Sequence, residues 1–347
     1  DCQLPILTSS KKNGIEYQEE HFTGKQRHDI EGYNVLPRNY CTYRNRSDGT
    51  DFTFNINKLC DKGIVSKFYP VFKEKDCDLF FLVSLLNNER KTVRKIAYTA
   101  KGTGQKVLSI TDLRNITVNM PSLPEQQKIA EFLSTIDTVI EKQKETVSAW
   151  EERKKGVMQK LFSQEVRFKA DDGSEFPEWE EKNVEDVCSV STGKGNTQDK
   201  VDTGAYRFYV RSPIIEHSDS YLFDEEAVIT VGDGVGTGKV FHYVKGKYNL
   251  HQRCYRMYDF RDVTGKYFYY FFSTNFYRRV KSMSAKTSVD SVRMEMITKM
   301  KILVPCLAEQ QKIADCLSSF DEVIEKQKAT LAAWEELKKG LLQQMFV

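Results

Sequence analysis

From residue 129 onward, apolar side chains return every third or fourth position: Ile129, Leu133, Ile136, Ile140, then Gln143, Val147, Trp150, Lys154, Val157 and Leu161. The same steps run through Ile313, Leu317, Phe320, Ile324, Gln327, Leu331, Trp334, Lys338, Leu341 and Met345. Alternating fours and threes are the seam of a coiled coil, so each stretch predicts one long helix. Pro124 suits the first turn, where a missing N–H costs nothing, and Glu125 or Glu309 complements the helix dipole there. Forty residues in such a helix make a rod of about 60 Å. Aligned at an offset of 184, residues 123–162 and 307–346 share 26 identities and both open with Glu-Gln-Gln-Lys-Ile-Ala, at 125–130 and 309–314. This is an internal duplication.

A lone rod leaves its seam in water, and the natural partner of each copy is the other. The chain order is module, helix, module, helix; antiparallel pairing then predicts a closed, pseudo-two-fold arrangement with a globular module at each end of a rigid spacer. Gln143 and Gln327 stand at matching seam positions, where they either fix register or face water at the seam's edge.

In the modules the periodicity changes. Alternating runs bounded by glycine, such as 63–72 and 238–246, predict strands. Residues 79–93 and 267–280 predict amphipathic helices with basic ends, whose leucine and aromatic stripes face the core. Both modules reach their long helix through similar passages, 100–122 and 285–306, with Pro121 or Pro305 just before it. The expected class is α/β with α+β modules: two globular domains, at 1–122 and 164–306, and two long antiparallel coiled-coil helices, at 123–163 and 307–347.

Charge sharpens this picture. Residues 1–122 carry 19 Lys+Arg against 14 Asp+Glu, and residues 187–306 carry 18 against 12. The acidic stretch 165–186 and the second long helix offset them, leaving the whole chain at +3. Basic character confined to the modules is the footprint of phosphate contact, although an excess of this size also lies within ordinary scatter. The eight cysteines are scattered, with no CxxC pair and no histidine at ligand spacing, so reduced thiols are expected and a metal site is not. No apolar run approaches the roughly 18 residues a membrane span requires, and no signal peptide pattern opens the chain; a cytoplasmic location is expected.

Enzyme signatures fail on inspection. In VGDGVGTGKV (231–240), Asp233 occupies the first glycine position of a phosphate-binding loop and Val240 the place of its Ser or Thr. The eight prolines include no adjacent pair, so the Pro-Pro-aromatic motif of amino-methyltransferases is absent, and the five histidines show no triad spacing. A noncatalytic chain is expected.

The doubled EQQKIA helix start, the Lys-rich heptads, Trp150 and Trp334, and the linker FKADDGSEFPEWEEKNVEDV (168–187) closely resemble the specificity subunits of type I restriction-modification systems. The resemblance covers essentially the whole chain. It implies two target-recognition domains, each reading one half of a bipartite, gapped duplex DNA site. It also implies two methylation subunits, which dock on the helices and methylate adenine N6 with S-adenosylmethionine, and restriction subunits that use ATP and magnesium. No cofactor is implied for this chain. The second module begins with PEWEEKNVEDVCSVSTGKG (177–195), whereas the first opens directly on DCQLPILTSSKKNG, so the first domain is expected to lack a few tens of residues.

Arg, Lys, Asn and Gln can make bidentate base contacts, while hydroxyls and lysines mostly position phosphates. On that basis the DNA-contact candidates are Ser9, Ser10, Lys11, Lys12, Arg38, Arg44, Arg46, Lys101 and Thr103 in the first module. In the second they are Thr192, Lys194, Asn196, Arg211, Ser212, Lys239, Gln252, Arg253, Lys286 and Thr287. Lys128, Glu141, Lys142, Lys144, Glu325, Lys326 and Lys328 are candidates for docking methylation subunits. The alternative reading is a noncatalytic coiled-coil adaptor joining two protein-binding domains.

Overall fold

The computed structural model describes residues 4–21, 30–234, 236–283 and 291–346. It divides into two compact units, 1–145 with 329–347, and 146–328. Each unit therefore combines one globular module with part of both long helices.

In the first unit, β1 (Leu7–Ser10) and β2 (Gly14–Tyr17) form a hairpin followed by a short turn of helix, α1 (Gln18–His21). β3 (Asn34–Pro37) pairs with β7 (Lys62–Val65), and β4 (Cys41–Tyr43) lies between β6 (Phe54–Ile56) and β8 (Val71–Phe72). A small ribbon joins β5 (Arg46–Ser47) to β9 (Lys106–Val107). Tyr43, Phe54, Val83, Leu86, Ile96 and Leu108 make the core, and the Tyr43 hydroxyl donates to the Leu108 carbonyl at 3.0 Å.

The stretch 79–93, predicted as one helix, is two: α2 (Leu79–Asn88) and α3 (Arg90–Thr99). Glu89 takes an extended backbone (φ −71°, ψ 115°), and its carboxylate accepts the Thr92 N–H at 3.0 Å. A local N-cap outcompetes continuation, because one side chain satisfies a donor that a fresh helix start would leave orphaned. The short α4 (Ile110–Arg114) precedes the first long helix, α5 (Leu123–Phe162).

The second unit is built on a six-stranded sheet. β10 (Glu180–Asn183) and α6 (Val184–Val187) lead into β11 (Ser189–Thr192). Then come β12 (Tyr206–Tyr209), β13 (Ile215–Ser218), β14 (Phe223–Val231), β15 (Phe241–Leu250) and β16 (Cys254–Tyr258). The sheet order is β11-β16-β14-β15-β12-β13, antiparallel except for β12 beside β15. α7 (Gly265–Met283) lays Tyr267, Phe268, Phe271, Phe272 and Phe276 against Val228 and Met257, so the predicted aromatic stripe is core. α8 (Met294–Thr298) and β17 (Lys301–Val304), which pairs with β10, lead into the second long helix, α9 (Leu307–Met345).

The repeat makes equivalent contacts in the two units. In the first, Leu133 packs with Phe81 and Leu342, and Asp137 pairs with Lys338 at 2.5 Å. In the second, Leu317 packs with Leu161, and Lys154 pairs with Asp321 at 2.5 Å. These ion pairs are one pair written twice, since 137 and 321, like 154 and 338, differ by the repeat offset. Within each unit the helices run antiparallel. The seam residues Leu133, Ile136, Ile140, Val147, Ile313, Leu317 and Ile324 are buried, and Ile129, Gln143, Trp150, Phe320, Gln327, Leu331 and Trp334 half-buried. Reversing Lys154 to Asp is expected to cost about 1 kcal/mol, and adding Asp321→Lys to recover most of it, because the pair is only partly exposed. Urea unfolding of the single and double variants measures this; equal losses that simply add would show that the pair contributes nothing.

The second residue of each Glu-Gln-Gln segment ties helix to module. The Gln126 carbonyl accepts the Asp78 N–H at 3.0 Å, and its amide donates to Pro121 O at 2.8 Å. Gln310 accepts the Thr264 N–H at 2.8 Å and donates to Pro305 O at 2.8 Å and Asp262 O at 2.9 Å. Each glutamine thus links the start of its long helix to the backbone leading into α2 or α7. Both are buried, so each bond replaces one that water cannot make.

Candidate nucleic-acid interface

In the second unit the chain passes from β15 to β16 in only three residues, His251–Arg253, and the candidates gather around this crossing. Backbone bonds tie it to three neighbouring segments: His251 N–H to Tyr209 O at 3.0 Å, Gln252 N–H to Gly195 O at 2.8 Å, and Gly232 N–H to Arg253 O at 2.9 Å. Gly193 and Gly195 permit this closeness, since a Cβ on Gly193 would lie 2.2 Å from Leu250 O.

The side chains follow. Arg253 reaches Asp233 at 2.7 Å, and Arg211 reaches the other oxygen of the same carboxylate at 3.4 Å. One acid between two arginines leaves a net positive charge and several free guanidinium donors in defined positions. Gln252 donates to the Asn196 side chain at 2.8 Å, while Asn196 N–H is held by Asp199 at 2.7 Å. Two arginines, a glutamine and an asparagine therefore share one exposed face, which is the side-chain set that makes bidentate base contacts. Lys194 and Ser212 lie on the same loops, and Thr192 ends β11 beside Tyr255. Lys239 sits apart, 4.9 Å over the Tyr277 ring of α7. Lys286 and Thr287 fall outside the described residues.

His251 supports the crossing from beneath. It is 4 % exposed, its Nδ1 accepts the Arg253 N–H at 3.1 Å, and its Nε2 lies 3.4 Å from the Thr197 hydroxyl. Burial, with the charge of Arg211 adding to it, holds its pKa below the ordinary histidine value. Because the folded pKa is depressed, the unfolded chain takes up the proton first. Stability from the neutral ring is complete above the ordinary histidine pKa and falls as pH drops below it. An NMR titration is expected to place the ring's midpoint below 6.5; a midpoint above it would contradict a neutral, buried acceptor.

Sequence reasoning missed Asp233 and His251. Asp233 was legible only as a residue that spoils a phosphate loop, and His251 only as a histidine without partners. Their roles arise where segments distant in sequence meet.

The first unit spreads its candidates over three places. Ser9 and Ser10 are engaged internally: Asn55 donates to Ser9 Oγ at 2.8 Å, and Ser10 donates to Glu16 at 2.9 Å. Next to them Lys11 pairs with Asp51 at 3.2 Å, and Lys12 is exposed on the same turn. Arg46 lies on β5, 4.1 Å over the Phe68 ring, and the β5–β9 ribbon brings it beside Lys101 and the exposed Thr103; Arg44 precedes the ribbon. Lys101 bonds Asp112 at 2.8 Å and holds that carboxyl below its usual range. Arg38 stands apart, bound to Asp61 at 2.9 Å and to Lys58 O at 2.9 Å. The ribbon with Arg46, Lys101 and Thr103 is the first unit's best-grouped basic face.

Among the described residues no His/Cys/Asp/Glu group has the arrangement of a metal site, the cysteines are free thiols, and no helix is long and apolar enough to cross a membrane.

Comparison with known proteins agrees with this architecture. The chain is 24 % identical over 318 residues to the type I restriction enzyme MjaVIII specificity subunit of Methanocaldococcus jannaschii, covering 82 % of this chain and 73 % of that protein. It is 24 % identical over 166 residues to the EcoDI specificity subunit of Escherichia coli, covering 48 % of this chain and 36 % of that protein. In fold it is similar to the crystal structure of a type I restriction-modification S subunit from M. genitalium, with TM-score 0.62 and 14 % identity over 100 % of this chain and 89 % of that one. A structure from work on complex assembly and conformational transition of the type I system matches with TM-score 0.50 and 15 % identity, covering 92 % of this chain and 84 % of that one. The profile of the type I restriction modification DNA specificity domain matches twice, over residues 6–148 and 177–333. With two such domains, each leading into one copy of a duplicated helix, the chain belongs to the family of type I restriction-modification specificity subunits.

Proposed function

We propose that this chain is the noncatalytic DNA-reading subunit of a type I system, each module reading one half of a gapped duplex site. The observation that carries this reading is the face around His251–Arg253. Asp233 fixes two arginines, and Asn196 and Gln252 are locked together beside them. Base-reading side chains held before binding lose little freedom on contact, which favours sequence discrimination over simple charge attraction. In the first module the Arg46–Lys101–Thr103 ribbon takes the corresponding part.

The paired helices set the distance between the half-sites. Their exposed faces, with Lys128, Glu141, Lys142, Lys144, Glu325, Lys326 and Lys328, dock two methylation subunits, and the repetition of the face accounts for two copies. Those subunits hold S-adenosylmethionine and methylate adenine N6; restriction subunits with ATP and magnesium direct cleavage of unmodified DNA. This chain's own residues bind and orient the duplex.

Binding of the chain, alone and with its methylation subunits, to a library of duplexes with a central random gap tests the reading. Enrichment of a bipartite motif, with affinity falling steeply as salt rises, is expected. Weak, salt-insensitive binding without a motif would leave a protein-binding adaptor instead.

A further inference from the structure

We propose that α3 of the first module is a sequence-independent hold on duplex DNA, gripping phosphates beside the bases that the module reads. This rests on the DNA-reading function proposed above and adds to it a site that carries affinity without carrying specificity.

The basic end expected of the 79–93 stretch becomes, after the break at Glu89, the outer face of α3. At about 100° per residue, Arg90, Arg94, Tyr98, Lys91 and Lys95 fall within an arc of about 140°. Thr92 and Ile96 lie on the other side and are buried, Ile96 in the core with Tyr43 and Leu86, so the helix cannot roll its charges inward. All five side chains of the arc are exposed, Tyr98 at 89 %. Arg90, Lys91 and Arg94 make no ion pair or hydrogen bond among the described residues, and Lys95 donates to the Thr117 carbonyl at 2.7 Å. Between residues 79 and 111 there are six Lys+Arg and one acid, Glu89, whose carboxylate is engaged in capping Thr92. Nothing in the segment neutralises the face.

These charges work against their own helix. Cations in the first turn meet the positive end of the helix dipole, and Arg90 with Arg94, like Lys91 with Lys95, are like charges four residues apart. Negative charge arriving at the face relieves both. Position selects DNA phosphates as that charge. Lys101 follows the helix C-cap directly and exchanges backbone hydrogen bonds with Val107 at 2.8 and 3.0 Å, and Val107 pairs with Arg46 across the ribbon. The helix thus runs straight into the ribbon assigned above to reading. From Arg90 to Tyr98 it rises about 12 Å, the length of roughly three to four phosphates along one DNA strand. Arginine, lysine and tyrosine all bond phosphate oxygens, and such contacts carry no sequence information. The second unit differs: α7 continues unbroken, and its Arg279 donates to the Met296 carbonyl at 2.8 Å.

The full chain with its methylation subunits, wild type and Arg90→Gln/Lys91→Gln/Arg94→Gln, titrated across a range of salt with the selected bipartite duplex and a scrambled one, tests the proposal. The triple variant should lose at least about tenfold in affinity for both duplexes at about 0.1 M salt, and its log–log salt slope should shrink by about two to three, with the selected motif unchanged. Its Tm should hold or rise; a fall would contradict the self-repulsion on which the hold is argued. Lys75→Gln, on an exposed lysine three residues before Asp78, should leave affinity within about twofold. An unchanged salt slope, a loss confined to the selected duplex, or the same loss per charge from Lys75→Gln would each overturn the hold. So would weaker capture of the methylation subunits with DNA affinity intact, which would put an acidic protein surface on α3. A wild type that selects no bipartite motif would instead sink the DNA-reading function itself, and the hold with it.

Discussion

Glu309→Ala is expected to destabilise the second unit by about 3–5 kcal/mol, whereas Glu125→Ala, in the same six-residue segment of the other copy, is expected to change stability by about 0.5 kcal/mol or less. The difference follows from what each carboxylate faces. Removing Glu309 strips the acceptor from a guanidinium whose side chain is only 16 % exposed and from the Trp179 indole N–H. Arginine is too basic to lose its proton at ordinary pH, so the Arg167 guanidinium stays charged in the variant and cannot escape the penalty that way. Arg167 keeps the exposed Glu178 at 3.3 Å and the Pro177 carbonyl at 2.6 Å, but losing its buried carboxylate costs several times what losing an exposed partner does. Urea unfolding of both variants measures the contrast. Equal losses would mean that the linker's grip on Glu309 contributes nothing beyond the helix dipole, which both glutamates share.

Arg253→Ala is expected to weaken binding of the preferred duplex by about 1–3 kcal/mol, roughly fivefold to 150-fold, and to relax sequence preference in one half-site only. Arg253 is mostly exposed, and its pairing with Asp233 is a surface contact, so folding stability should change little. Asp233→Asn should weaken binding in the same half-site while adding positive charge, because two guanidiniums lose the group that positions them. That opposition separates positioning from charge attraction: if neutralising Asp233 strengthens binding to all sequences alike, the cluster is a charge patch and not a reader. Affinities of both variants for the selected duplex and for duplexes altered in each half decide between these outcomes.

The long helices were legible because a coiled-coil seam is a local, periodic signal sustained over forty residues, and duplication displayed it twice. Lys154 and Lys338 already occupied seam positions, but only the structure shows why a charge is tolerated there: each meets an aspartate from the facing helix. The tie made by Gln126 and Gln310 was not legible, because its partners Asp78 and Thr264 lie some 46–48 residues away and no pattern marks them. The break at Glu89 was missed for a local reason, a side chain capping its own neighbour within an otherwise helical run. At the candidate interface, residue type pointed to Asn196, Arg211, Gln252 and Arg253. Their convergence depends on a three-residue crossing between strands and on two glycines that admit it.

The most direct measurement exchanges the second module, residues 164–306, for that of another specificity subunit, expresses the hybrid with its methylation subunits, and maps methylated adenines across a genome. One half of the methylated motif should change, with the other half and the gap between them retained. If both halves change together, or the gap changes while the helices are untouched, the modules do not read independently and the helices are not the spacer.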